Sequence, residues 1–139
     1  MKFFIDTNVL IDVLTARDGS AASMRLFAYA RMSRVSVSIS ALSFVNAVYI
    51  CKRQGMIVSD VLRSLKIISS FVSVVDLTGR NVIENLSNNW KDYEDSTQDY
   101  CARDSNAFCI VTRNTKDYNM SSQKILMPEE AIELIEQNK

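Results

Sequence analysis

Residues 3–11 read Phe3-Phe4-Ile5-Asp6-Thr7-Asn8-Val9-Leu10-Ile11, two apolar runs separated by three polar residues. A short apolar run such as the first is typical of a buried strand. Asp6 follows that strand directly, and in open parallel sheets ligand sites form at the carboxyl ends of strands. The stretch therefore predicts a strand that delivers a carboxylate to the edge of a sheet.

Further apolar or β-branched runs recur along the chain, and the stretches between the first four are long enough for helices. The predicted strands are Lys2–Ile5, Val35–Ile39, Val72–Val75, Phe108–Val111 and Lys124–Leu126. Helical spacing of apolar residues predicts helices over Ala21–Ser33, Ser43–Arg53, Val58–Ser69, Thr78–Asn89, Glu94–Ser105 and Pro128–Gln137. This alternation predicts an α/β protein with a parallel sheet.

Length and charge limit the function. A chain of 139 residues fits one domain, and we expect residues 1–139 to form it. The 16 basic and 16 acidic residues cancel, so no overall positive field holds nucleic acid and any such contact must be local. The apolar run at the N-terminus is too short for a signal peptide or a membrane span, and we expect a cytoplasmic protein with no membrane contact.

The residue types present restrict the chemistry. The sequence contains no histidine, which excludes serine–histidine triads and most zinc sites. Cys51, Cys101 and Cys109 lack metal-type spacing, and we expect reduced structural thiols. Carboxylates must therefore carry any acid–base or metal role.

Three polar clusters are candidates for a site, and each has an ordinary structural alternative. Asp6 also suits the N-cap of a helix that begins at Thr7 or Asn8. The segment Asp92-Tyr93-Glu94-Asp95-Ser96-Thr97-Gln98-Asp99 crowds acids at a predicted helix start, which also suits capping, with Asp99 pairing to Arg103. The segment Thr112-Arg113-Asn114-Thr115-Lys116-Asp117-Tyr118 follows a predicted strand and could equally be a polar surface turn.

If these clusters converge on one sheet edge, they supply oxygen ligands of the kind that Mg²⁺ or Mn²⁺ requires. A metal ion held by carboxylates activates water and neutralises phosphate charge. The set therefore suits phosphodiester hydrolysis without histidine.

These motifs resemble those of the PIN-domain family over nearly the whole chain. Phe4-Ile5-Asp6-Thr7-Asn8-Val9-Leu10-Ile11-Asp12 is similar to the family's opening motif, Asp95 matches its third acidic position, and residues 111–118 resemble its closing motif. At the second acidic position this chain has Asn46 instead of glutamate, as in one subgroup of bacterial, VapC-like toxin PIN domains. Asn46 offers a neutral carbonyl oxygen, and it also fits an ordinary polar residue of a helix.

The resemblance implies a three-layer α/β/α fold with a central parallel sheet of about five strands. It implies an endoribonuclease that uses Mg²⁺ or Mn²⁺, forms a homodimer, and is masked by a cognate antitoxin protein when it is the toxin of a toxin–antitoxin pair.

The resemblance also implies roles for individual residues. Asp6 and Asp95 are the principal metal ligands, Asp117 is a further ligand, and Asn46 is a neutral ligand or an orienting group. Asn114 and Thr112 position water or phosphate, Arg113 and Lys116 contact the RNA phosphates, and Asp92, Glu94 and Asn8 support the ligands from behind.

Two other functions compete with this hypothesis. Asn46 in place of an acid is compatible with a catalytically weak PIN module that binds RNA or a protein partner. A strand-end aspartate also occurs in phosphoacceptor receivers and aspartate-nucleophile phosphatases, but the phosphatases need a second aspartate two residues later, where this chain has Asn8.

Overall fold

The computed structural model describes residues 1–138 and contains a five-stranded parallel sheet with the strand order β3-β2-β1-β4-β5. Its strands are β1 (Lys2–Ile5), β2 (Ser36–Ser40), β3 (Ser73–Val75), β4 (Cys109–Val111) and β5 (Ile125–Leu126). All five predicted strands are therefore confirmed, with ends that differ by one residue at most.

The central strand β1 lies where the direction of the chain across the sheet reverses. Ile5 pairs with Ile39 of β2 on one side and with Val111 of β4 on the other. The chain runs outward from β1 through β2 to β3 and later returns to the opposite side of β1 as β4. A crevice at the carboxyl ends of β1 and β4 results, and such crevices bind ligands in open parallel sheets.

Helices cover both faces of the sheet. They are α1 (Thr7–Thr15), α2 (Ala21–Arg31), α3 (Ala41–Arg53), α4 (Val58–Ser69), α5 (Gly79–Glu84), α6 (Tyr93–Asp104) and α7 (Pro128–Gln137), with 3₁₀ turns at Asn85–Ser87 and Thr115–Tyr118. The three-layer α/β/α arrangement is as predicted. Within residues 1–138, no helix is long and apolar enough to cross a bilayer.

The alternation of side chains along β1 divides the core in two. Phe3 and Ile5 point into the larger core, which packs under α1, α2, α3, α4 and α7. Phe4 points to the other face, where a smaller core forms against α6 with Ile110 and Tyr118. Cys51, Cys101 and Cys109 are free and buried, as predicted.

The helix predicted over Thr78–Asn89 is shorter than expected, because α5 ends at Glu84 and a 3₁₀ turn follows. The Asn85 amide donates to the backbone and side-chain oxygens of Asn81, and the Asn88 amide donates to Asn85. Such side-chain bonds compete with regular helix hydrogen bonding. The apolar run after Asp6 belongs to α1, which begins at Thr7 with Asp6 as its N-cap, as one of the two interpretations of Asp6 expected.

Candidate active site

A polar pocket of about 300 Å³ lies at the crevice between β1 and β4. Seven of the residues predicted for the site line it: Asp6, Asn8, Asp92, Glu94, Asp95, Asn114 and Asp117. The N-terminus of α1, the start of α6 and the loop after β4 deliver them. The structure thus brings the three predicted clusters together.

Asp6 is both the N-cap of α1 and the deepest carboxylate of the pocket. One oxygen accepts from the Thr7 backbone N–H at 2.8 Å, and the other accepts from Thr112 Oγ1 at 2.8 Å and from the Asn8 amide at 3.2 Å. Burial raises the pKa of Asp6 above its usual value, although these hydrogen bonds act in the opposite direction. Asp6 is therefore a helix cap and a carboxylate of the pocket at the same time, and its hydrogen bonds hold both oxygens in fixed positions.

Asp95 is half-buried in the first turn of α6 and lies near four other acidic side chains. Asp92 caps the helix by accepting from the Asp95 backbone N–H at 2.9 Å. Burial first, and then the negative charges of Asp6, Asp92, Asp117 and Glu94, raise the pKa of Asp95 to about 7. A carboxyl group with this pKa lies where a cation would be strongly favoured.

Asn46 contacts the acidic cluster through Glu94. Its amide donates to Glu94 Oε1 at 3.0 Å from the adjacent helix α3. Glutamate at this position would bring a second carboxylate against Glu94, whereas the amide supplies a neutral donor. The contact fits Asn46 as an orienting group.

Polar residues of the loop after β4 lie at three different places: one is buried, two line the pocket and one is exposed beside it. Thr112 is fully buried against Asp6, and its Oγ1 also accepts from the Asn114 backbone N–H at 3.1 Å. Asp117 and Asn114 line the pocket, and their side chains make no hydrogen bond with residues 1–138. Lys116 is exposed beside the pocket, in an adjoining cavity.

The two arginines near the pocket converge on Asp12, a fully buried carboxylate. Arg113 donates to Asp12 Oδ2 at 3.0 Å and to the Gly19 carbonyl at 2.8 Å, so its guanidinium is already engaged. Arg17 donates from Nε to Asp12 Oδ1 at 2.5 Å and from Nη2 to the Asn8 carbonyl at 3.0 Å. Arg17 also lines the pocket, and the sequence prediction missed it.

Two further residues beneath the pocket were not predicted. Gln98 lies one turn after Asp95 and donates to Ser43 Oγ at 2.7 Å and to Thr7 Oγ1 at 3.1 Å. The Gln98 Oε1 and Tyr118 hydroxyl oxygens are buried without a well-formed hydrogen bond to residues 1–138, although the Tyr118 hydroxyl lies close to Asp6. The i, i+3 spacing from Asp95 was the available signal for Gln98.

The donor atoms of the pocket fit a hard divalent cation in type and charge. They are carboxylate and amide oxygens, and a cation would offset the burial and the acid–acid repulsion that together raise the pKa of Asp95. In the described part of the chain, no three of the acidic side chains stand at the spacing of a finished metal site. In that part of the chain, the side chains of Asp95 and Asp117 make no hydrogen bond that would fix their positions.

Comparisons with known proteins agree with this architecture. A family model described as "PIN domain" matches residues 2–116. Similar solved structures include VapBC2 from Rickettsia felis bound to a DNA fragment from its promoter, with 18% identity, TM-score 0.63 and coverage of 91% of this chain and 97% of that chain.

A toxin–antitoxin complex from Klebsiella pneumoniae has 19% identity, TM-score 0.62 and coverage of 90% and 96%. Mycobacterium tuberculosis VapC20, a toxin that cleaves the sarcin-ricin loop, has 16% identity, TM-score 0.61 and coverage of 78% and 86%. At these identities the likeness concerns the fold. No curated protein sequence matches significantly.

Proposed function

The chain belongs to the PIN domain family, and we propose that it is a metal-dependent endoribonuclease and the toxin of a toxin–antitoxin pair. The observation that carries the proposal is the meeting of Asp6, Asp95 and Asp117 at the crevice between β1 and β4, with a raised pKa at Asp95. The whole chain forms the catalytic domain in this proposal.

The chain's own residues have distinct roles in the proposed reaction. Asp6 is held by Thr7, Asn8 and Thr112, so its oxygens form the fixed side of the site. Asp95 and Asp117 form the adjustable side. A bound Mg²⁺ or Mn²⁺ would supply an activated water and neutralise charge on the scissile phosphate.

The remaining predicted residues support this arrangement. Asn46 orients Glu94, Asn114 faces the pocket as a hydrogen-bonding group for water or phosphate, and Lys116 is available for the RNA backbone. Arg113 is 30% exposed beside Asp12, so an RNA contact would use its outer face. Arg17, on the pocket wall, is a further candidate for phosphate.

Cleavage of RNA tests the proposal directly. The purified protein, freed of any partner, should cleave single-stranded RNA with Mn²⁺ or Mg²⁺, stop in chelator, and resume when metal is restored. Asp117→Asn should lose most activity, whereas Asp104→Asn, an exposed acid at the far end of α6, should retain it. Cleavage that survives chelator contradicts the metal mechanism.

The toxin role rests on the resemblance and on the solved toxin–antitoxin complexes of the same fold. Expression of the chain alone should arrest growth, and co-expression with the product of a short adjacent reading frame should restore it. If cells that express the active enzyme grow normally, the toxin role is contradicted and the nuclease proposal still stands.

Two apolar grooves support the two protein contacts that this role requires, an antitoxin and a second copy. One groove, of about 320 Å³, lies among Val13, Met24, Phe27 and Ile67, and the other, of about 400 Å³, lies among Phe44, Val45, Leu62 and Val74. Exposed apolar surface of this kind marks interaction sites. Sedimentation of the purified protein measures the homodimer, and its three buried thiols without disulfides agree with a cytoplasmic location.

The alternative, a binding module with little activity, is favoured by Asn46. It predicts RNA binding without cleavage at any Mn²⁺ concentration. Membership of a subgroup defined by asparagine at this position stays a prediction.

A further inference from the structure

A second cavity, of about 450 Å³, adjoins the acidic pocket. We call it the side cavity. It shares Asp92, Asp95 and Asp117 with the pocket, and its other walls are Asn89, Trp90, Lys91, Lys116, Asn119 and Met120. Its volume lies within the range of about 300–1,000 Å³ that small-molecule sites occupy. A ligand in the side cavity would therefore lie directly beside the proposed cleavage site.

Trp90 gives the side cavity a rigid aromatic wall. It is the only tryptophan of the sequence, and its ring meets the buried Tyr118 ring edge to face, with centroids 5.9 Å apart and planes at 80°. This contact fixes the indole from within the smaller core. The indole N–H makes no hydrogen bond to the described residues, so it remains available to a ligand.

Two lysines line the same cavity as the three aspartates but form no ion pair with them. Neither the Lys91 nor the Lys116 ammonium forms an ion pair or a hydrogen bond within residues 1–138, although Asp92 and Asp117 are their sequence neighbours. The Asn89 and Asn119 side chains are exposed and also lack hydrogen bonds to that part of the chain. The cavity thus combines an aromatic face, two unpaired lysines and free amides on one side with the three aspartates that it shares with the acidic pocket.

These groups match one class of ligand. A nucleotide brings a flat base for the indole, phosphates for the lysines and base edges for the amides. An apolar segment of a protein partner would desolvate the lysines and the carboxylates of the cavity without compensation.

We infer that the side cavity binds the base of a nucleotide adjacent to the scissile phosphate, with Trp90 as the stacking surface. The inference rests on the proposed nuclease function. It adds a reason for preferring single-stranded RNA, because a base can enter the cavity only when it is unstacked and unpaired. Lys91 and Lys116 hold the flanking phosphates.

Trp90 also provides the measurement, since all tryptophan emission of the protein arises from it. In chelator, a single-stranded RNA octamer should quench this emission to saturation. An abasic oligonucleotide of the same length, which keeps the phosphates and lacks the bases, should leave it nearly unchanged. Absence of quenching by RNA, or equal quenching by both, overturns the inference.

Variants give a second readout. Trp90→Leu should raise KM for single-stranded RNA about tenfold or more while kcat changes less, and Trp90→Phe, which keeps a ring, should recover most of the loss. Lys91→Gln should also raise KM, with Lys52→Gln, an exposed lysine on α3, as the matched control. If Trp90→Leu fails to fold, Lys91→Gln and the titration still decide the matter.

The inference and the nuclease proposal fail in different ways. RNA cleavage with unquenched Trp90 and unchanged KM in these variants refutes the side cavity and leaves the nuclease intact. Base-dependent quenching without cleavage in any metal supports the side cavity and refutes the nuclease.

Discussion

Replacement of Asp95 by asparagine should stabilise the metal-free protein while nearly abolishing cleavage. Asp95 has its pKa raised from 3.8 to about 7, so its ionised form is disfavoured in the fold. Its contribution to stability is full below about pH 4 and is lost as the pH rises through about 7. An asparagine side chain at this position would keep the size and carry no charge, so the stability of the variant should not fall in this pH range.

The magnitude follows from the same shift. Without solvent screening, the pKa shift of Asp95 from 3.8 to about 7 corresponds to a destabilisation of the folded protein by about 4 kcal/mol at pH 8. Because Asp95 is only half-buried, solvent screening reduces this, and we expect about 1–2 kcal/mol. For a chain of this size each kcal/mol raises Tm by about 3 °C, so the variant should melt about 3–6 °C higher in chelator at pH 8.

Saturating Mn²⁺ should reverse the order of the two proteins. Metal at a hundredfold excess over Kd stabilises the native wild type by about 2.7 kcal/mol, and the variant, lacking one ligand, should gain much less. Thermal melts of both proteins at pH 5 and pH 8, each with chelator and with Mn²⁺, give the Tm values for this comparison. Asp104→Asn, the same change at an exposed position of α6, is the control. A variant that melts below wild type in chelator at pH 8, or that still cleaves RNA, would refute the reasoning.

Three further changes test the surroundings of the acids. Asp12→Asn should lower the free energy of unfolding by about 2 kcal/mol in urea titrations, because three donors lose a buried charge, and an unchanged midpoint would contradict this. Thr112→Val should lower the free energy of unfolding by about 1–2 kcal/mol in the same assay, because Asp6 loses the hydrogen bond from Thr112 Oγ1 at 2.8 Å. Equal stability of the two proteins would show that another donor replaces this bond. Asn46→Ala should weaken Mn²⁺ binding about tenfold by calorimetry through the loss of its bond to Glu94, and equal affinities would exclude Asn46 from the site.

The sequence predicted the sheet and indicated that the three acidic clusters could converge at one of its edges. Apolar runs bounded by polar residues mark buried strands, and the order of the motifs then brings Asp6 and the loop after β4 to one edge. Asp95 followed from its match to the third acidic position of the PIN-domain family, because acids at a helix start by themselves suit capping equally well. The roles of these residues in metal binding stay predictions.

Contacts between distant segments were beyond prediction. Arg17 forms an ion pair with Asp12, and Arg113, in the loop after β4, forms an ion pair with the same carboxylate. Trp90 stands in a short segment with no periodicity, and only its packing on Tyr118 gives it a fixed face. The asparagine ladder that shortened α5 depends on side-chain geometry, which spacing alone does not reveal.

Two buried aspartates at α1 show where the structure leaves charge uncompensated. Asp12 accepts from Arg17, Arg113 and Ser23, so its charge is matched by cations within the fold. Asp6 is also buried but forms no ion pair with residues 1–138, and the nearby charges of Glu94 and Asp95 add repulsion. Two arginines, Arg17 and Arg113, therefore lie near the crevice, but both bond to Asp12 and neither bonds to Asp6. Within residues 1–138 no cation pairs with the buried acid of the crevice, and a bound metal ion would be the group that compensates it.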